Sequence, residues 1–185
     1  MTLLRKALLA ALIGAATLAS ACATSPPSVA TTQNLDAMSV SALDSLVQNN
    51  AAARAIAGKS RAVLIFPSIV KAGLVFGGAY GEGELRRGSN VVGYYNSFTG
   101  SWGLQAGAQS YGYAVFLMNE EAENYVTTSD GWEIGVGPTV VVVDQGVAEN
   151  ISSSTLQDDA YAFIFDQKGL MAGVSIEGTK ITKVK

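Results

Sequence analysis

Arg61-Ala-Val-Leu-Ile-Phe-Pro67-Ser-Ile-Val-Lys71-Ala-Gly73 is the stretch whose reading decides the fold. Residues 62–66 form an unbroken apolar run, too short for a typical helix and rich in strand-forming side chains, so they read as a buried strand. Pro67 cannot donate to a β ladder, and the run is expected to stop there. Downstream, apolar runs punctuated by glycine follow at 73–80, 91–95, 102–109, 113–118, 132–136, 140–143, 160–165 and 170–176. Arg87-Gly88-Ser89-Asn90 and Asp166-Gln167-Lys168-Gly169 each separate two such runs and read as hairpin loops. Residues 119–124 are a short, acidic stretch that reads as one helical turn. No helical pattern of 10–15 residues lies between strands, which disfavours parallel βαβ units. The expected fold is therefore α+β and mainly antiparallel: a curled, glycine-rich sheet, partial barrel or sandwich, with short N-terminal helices. Twenty glycines in 185 residues, about 11% against a usual 7% or so, fit a sheet that bends sharply.

Upstream of this stretch, Leu35, Met38, Ala42, Leu43, Leu46 and Val47 recur at helical spacing, with Ser41 and Asp44 placed like a capping box. Residues 51–57 form a second short helix closed by Gly58. Further upstream, Arg5 and Lys6 precede an apolar run at 7–19 and then Ser20-Ala21-Cys22. That is the pattern of a secretory signal, too short for a comfortable membrane span. Small residues before the chain's sole cysteine, with Leu18 and Ala19 upstream, resemble a bacterial lipobox. The resemblance implies cleavage before Cys22 and acylation there, and two or three acyl chains anchor stably. The expected organisation is a signal at 1–21, a flexible tether at 22–34 containing Pro26-Pro27, and one domain at 35–185. Losing residues 1–21 removes Arg5 and Lys6, leaving 164 residues and a net charge of −5.

Composition closes several functional classes. With no histidine, Ser-His-Asp and Cys-His catalysis, H-E-x-x-H zinc sites and histidine pH switches are excluded. One cysteine excludes an internal disulfide and cysteine-based zinc or iron–sulfur sites. A net charge of −3 argues against nucleic acid as a partner. The charge is also unevenly placed. Between Asp44 and Glu82 every charged residue is basic, namely Arg54, Lys59, Arg61 and Lys71, whereas the eleven acidic residues from Glu120 to Glu177 are opposed by Lys168 alone.

Motifs that imitate catalytic loops do not hold up. Gly58-Lys59-Ser60 lacks the upstream glycine of a phosphate loop and follows a helix, so it reads as a helix end. Ser68-Ile-Val-Lys71 has the S-x-x-K spacing, but no K-T-G follows. The 77–83 glycine run precedes no predicted helix and reads as strand coiling. Glu120, Glu121, Glu123, Asp158 and Asp159 read as solvated surface, with weak Ca²⁺ binding the sharper alternative, although no EF-hand spacing is present. Trp102, Trp132 and the other aromatics read mainly as core. No cofactor is expected.

The ordered series Pro67-x-x-x-Lys71-Ala72-Gly73-x-x-x-Gly77, Gly81-Glu82-Gly83, Gly135-Val136-Gly137-Pro138 and Gly169-Leu170-x-x-Gly173-Val174-Ser175-x-Glu177-Gly178 resembles the SYLF lipid-binding domain, over roughly residues 43–181. The family's Trp-Ser-x-Pro segment is represented only by the tryptophan of Ser101-Trp102-Gly103-Leu104. The resemblance implies a non-enzymatic domain binding anionic lipids, phosphoinositides in eukaryotic members, through an N-terminal amphipathic segment and nearby basic residues. Arg61 matches the basic residue before the family's first apolar strand, and Lys71 matches the lysine of its Lys-x-Gly motif. Arg54 and Lys59 are added on charge alone. The expectation is an acyl-anchored lipoprotein of the bacterial cell envelope, facing the periplasm from the outer membrane. It would bind anionic phospholipid through Arg54, Lys59, Arg61 and Lys71. The alternatives are an envelope protein that docks a protein partner through its acidic body, and a carboxylate hydrolase.

Overall fold

The computed structural model describes residues 29–73, 76–102, 107–129, 131–143, 156–169 and 178–184. Helices α1 (Val29–Asn49) and α2 (Ala51–Ala57) come first, followed by strands β1 (Ala62–Gly73), β2 (Phe76–Arg87), β3 (Asn90–Trp102) and β4 (Gly107–Leu117). Helix α3 (Glu120–Thr128) and strands β5 (Trp132–Glu133), β6 (Val140–Val142), β7 (Ala160–Gly169) and β8 (Lys180–Lys183) complete the order. The eight strands form one sheet, β5-β8-β3-β2-β1-β4-β7-β6. The α+β, mainly antiparallel architecture is as expected, with one exception: β6 runs parallel to β7.

Pro67 does not end β1. Between Ile65 and Ser68 the register against β2 shifts, so that Phe66 and Pro67 oppose Gly83 alone. Against β4 a shift at the same place sets Pro67 and Ser68 opposite Gly112. A bulge interrupts the ladder, so a residue with no N–H loses little there and the strand continues to Gly73. The disturbance propagates outward. Between β4 and β7, Tyr111 opposes Asp166 and Gln167, and Asp166 takes the left-handed conformation (φ 52°). Asp166-Gln167-Lys168-Gly169 is therefore part of β7 and not a hairpin loop. Four adjacent strands share one line of bulges, and each bulge bends its strand and raises the local twist. The two glycines are needed for close approach. A Cβ on Gly83 would lie 2.4 Å from the Ile65 carbonyl oxygen, and one on Gly112 would lie 2.3 Å from the Phe165 ring.

Other boundaries also moved. The runs at 73–80 and 102–109 straddle strand junctions, because glycine-rich apolar sequence continues through them. Helix α1 starts at Val29, six residues inside the expected tether, and Ser41 and Asp44 lie within it rather than at a cap. The acidic turn at 119–124 is the start of the nine-residue α3. The run at 170–176 lies outside the described residues.

The sheet buries apolar side chains on both faces. One core holds Leu64, Phe66, Tyr113, Val115 and Trp132 under α3, whose Ala122 and Val126 join it. The other holds Ile65, Phe116 and Phe163 under α1 and α2, contributed mainly by Leu46 and Ile56. The Phe116 and Phe163 rings meet edge to face at 5.6 Å, a geometry that adds about 1 kcal/mol beyond burial.

Asn119 holds the start of α3: its side-chain oxygen accepts from the Ala122 N–H at 2.9 Å, and its amide donates to Asp159 at 2.7 Å. Asn119→Ala is expected to lower stability by about 1–2 kcal/mol in chemical denaturation, since it removes both a cap and a charged acceptor's partner.

Candidate functional site

The structure separates the four basic residues expected to act together. Arg54, on α2, turns back to the end of α1. Its Nε donates to the Val47 carbonyl at 3.1 Å and its Nη2 to that of Gln48 at 2.6 Å. The last carbonyls of a helix lack partners, and a guanidinium satisfies two of them while opposing the negative end of the helix dipole. Lys59 is exposed in the turn after α2, on the same side of the sheet. Arg61 reaches α3 instead, donating from Nε to Glu123 at 3.3 Å and lying 3.9 Å from Glu120. Lys71 shares the α3 face, as a cross-strand partner of the buried Ala79. It stands ten residues along β1 from Arg61, roughly 30 Å at strand rise. Arg54 and Lys59 therefore form one exposed cationic corner, Arg61 is partly neutralised, and Lys71 is remote. Cys22 lies outside the described residues.

Glu123, expected on the solvated surface, is buried. It accepts from Arg61 and, at 2.8 Å, from Arg87 Nε, and Arg87 Nη2 bonds the same oxygen. A buried carboxylate needs such partners, because its charge is costly to desolvate. Asp159 is likewise structural. The Asn119 amide and the Thr139 N–H hold it below the usual carboxylate range. Among the described residues no three acidic groups gather to hold a metal ion.

A second cluster joins α1 to the sheet. Glu84 and Arg86 are both buried on β2, and Arg86 donates from Nη1 to Glu84 Oε1 at 2.5 Å and from Nη2 to the Ser89 carbonyl. Glu84 Oε2 has no partner in this geometry, while Asp36 on α1 faces the same group and accepts from Tyr94 on β3 at 3.0 Å. Burial, reinforced by Asp36, pushes Glu84 up to about 7. The cluster adjoins an open cleft of about 920 Å³ lined by Asp36, Asp44, Gln48, Arg86 and Val91. Two carboxylates at its α1 wall make it a poor receptor for a phosphate group.

Aromatic exposure also departs from expectation. Trp132 is core, but Tyr80 and Phe98 are 48% and 57% exposed on adjacent strands. Period-two alternation places each on a face; knowing that the face is uncovered there requires the long-range register.

Among the described residues no helix is long and apolar enough to cross a membrane. No curated protein matches the chain. Residues 98–185, from within β3 onward, match the family model for Ysc84, described as Las17-binding protein actin regulator. The 67–83 part of the sequence resemblance lies outside that match. The match over residues 98–185 makes this part of the chain similar to the Ysc84 (SYLF) family of binding domains.

Proposed function

We propose that this is a non-enzymatic lipoprotein, acylated at Cys22 and held at the bacterial cell envelope, whose domain binds anionic phospholipid headgroups. Arg54, Lys59, Arg61 and Lys71 supply the positive charge. The observation that carries the reading is the corner at the end of the helix layer. Arg54 and Lys59 are exposed there, and no carboxylate interrupts the sequence between Asp44 and Glu82. Arg54 spends donors on carbonyl groups, which leaves its charge unneutralised. Arg61 contributes through the exposed part of its side chain, and Lys71 as a separate contact. Near an anionic surface each such residue contributes about 1 kcal/mol. A Cys22→Ser chain, which has no acylation site, isolates the domain's own affinity. In that background Lys59→Gln is expected to weaken co-sedimentation with phosphatidylglycerol vesicles about fivefold. Unchanged partitioning in a Lys59→Gln/Lys71→Gln chain would remove these residues from the interaction.

A second reading, docking of a protein partner, is favoured by the similarity of residues 98–185 to a family of Las17-binding proteins. Cross-linking in the native envelope that captures one protein, from a chain that ignores vesicles, would establish it.

A further inference from the structure

The helix layer covers only half of its side of the sheet. Val63 and Ile65 lie beneath it, but beyond the bulge line the same face carries Ser68 and Val70 on β1, which are exposed with no described residue packed over them. Register assembles a row across this uncovered half. Phe98 pairs with Tyr80, Tyr80 with Val70, Val70 with Ser110 and Ser110 with Lys168, while Lys180 pairs with Phe98 on the outer side. Directly paired residues share a face, so the order is Lys180, Phe98, Tyr80, Val70, Ser110, Lys168, with the exposed Glu133 of β5 beside Lys180 at the outer edge. Phe98, Tyr80 and Val70 are 57%, 48% and 56% exposed, and both lysines are exposed. Neither lysine forms an ion pair among the described residues.

We propose that this row is the part of the domain that enters the lipid interface. Phe98, Tyr80 and Val70 would sit at the headgroup–acyl boundary, and Lys168 and Lys180, on either side of them, would meet lipid phosphates. The proposal rests on the lipid reading above and adds to it a separate, apolar contact toward the other end of β1 from the Arg54–Lys59 corner. Charge complementarity selects the occupant. Three exposed apolar side chains flanked by two exposed lysines, with Glu133 only at the outermost edge, match a layer that is apolar within and anionic at its surface, where aromatic rings settle and lysine stems extend outward. Shape agrees with charge. Six adjacent strands at about 4.8 Å spread the row over roughly 24 Å, and the next row, Gly100, Gly78, Ala72 and Ala108, has no bulky side chain to hold a flat surface away. On the opposite side Glu82, exposed and accepting from the Tyr80 hydroxyl at 3.2 Å, limits the patch toward the helices.

The test uses the full chain carrying Cys22→Ser. Val70→Thr/Tyr80→Thr/Phe98→Thr should lower partitioning onto phosphatidylglycerol vesicles roughly tenfold, as loss of apolar contact requires. In parallel, Phe98→Cys and Ser89→Cys chains carry one environment-sensitive fluorophore each. Ser89 is exposed in the β2–β3 turn, at the far end of those strands. The label at 98 should shift to the blue on the vesicles and the label at 89 should not; this comparison decides even if the triple variant unfolds. Vesicle binding with no shift at 98 would overturn the row and leave the lipid reading standing. Absence of binding by the parent chain would defeat both. A blue shift at 98 produced by an envelope protein and by no vesicle would reassign the row to protein docking and overturn the proposal.

Discussion

Gly83→Ala is expected to lower stability by about 3 kcal/mol, a large effect for a single methyl group. The added carbon would stand 2.4 Å from the Ile65 carbonyl oxygen and from the Phe66 ring. A ring can turn, but the carbonyl belongs to the bulged backbone that lets β1 pass through Pro67. Overpacking typically costs 1–3 kcal/mol, and the upper end applies where backbone must yield. For a chain of this size that corresponds to a fall in Tm of roughly 10 °C. Gly100→Ala in the neighbouring strand is the control. Nothing lies within 4 Å of its added carbon, and the change should stay within about 0.5 kcal/mol. Equal midpoints for the two variants would show that the bulge does not require glycine opposite it.

Stability should fall as pH rises through the range in which Glu84 loses its proton. Its carboxyl is raised from 4.5 in the open chain to about 7 in the folded protein. Between those values the folded state holds a proton that the unfolded state has released, so the slope of stability against pH is negative there. The stabilisation is fully present below about 4.5, declines toward 7 and is gone above it. At 1.36 kcal/mol per unit, the loss between about pH 5 and pH 8 is on the order of 2.5 kcal/mol. Protonated Glu84 can donate to Asp36, whereas ionised Glu84 faces that carboxylate with only Arg86 to offset it. Because Asp36 belongs to α1 and Glu84 to β2, the loss should be felt first as looser docking of α1. Denaturation midpoints across this range should slope downward for the parent chain and be nearly flat for Glu84→Gln. Parallel slopes would place the titration elsewhere.

The class of the fold was legible because strand periodicity, glycine punctuation and the Arg87-Gly88-Ser89-Asn90 turn are local signals. What failed was non-local. Pro67 reads as a stop because the glycines that accommodate its bulge, Gly83 and Gly112, come from two other strands. Asp166-Gln167-Lys168-Gly169 has turn composition but supplies the extra residue of a bulge. The candidate site divides in the same way. Charge counting found the cations between Asp44 and Glu82, yet sequence order could not show that Arg54 caps α1 or that Arg61 reaches Glu123. The row through Phe98, Tyr80 and Val70 exists only once five strand pairings are known. The motif glycines 81 and 83 also gain a physical account. They pack against the β1 bulge, so part of the family resemblance reflects a bent sheet rather than ligand contacts.

The most direct measurement is co-sedimentation of the Cys22→Ser chain with vesicles of phosphatidylglycerol and, separately, of phosphatidylcholine, at low and high salt. Binding through exposed cations and an apolar row predicts pelleting with the anionic vesicles, little with the neutral ones, and release as salt shortens the screening length below about 8 Å. Equal pelleting with both lipids, or with neither, would contradict it.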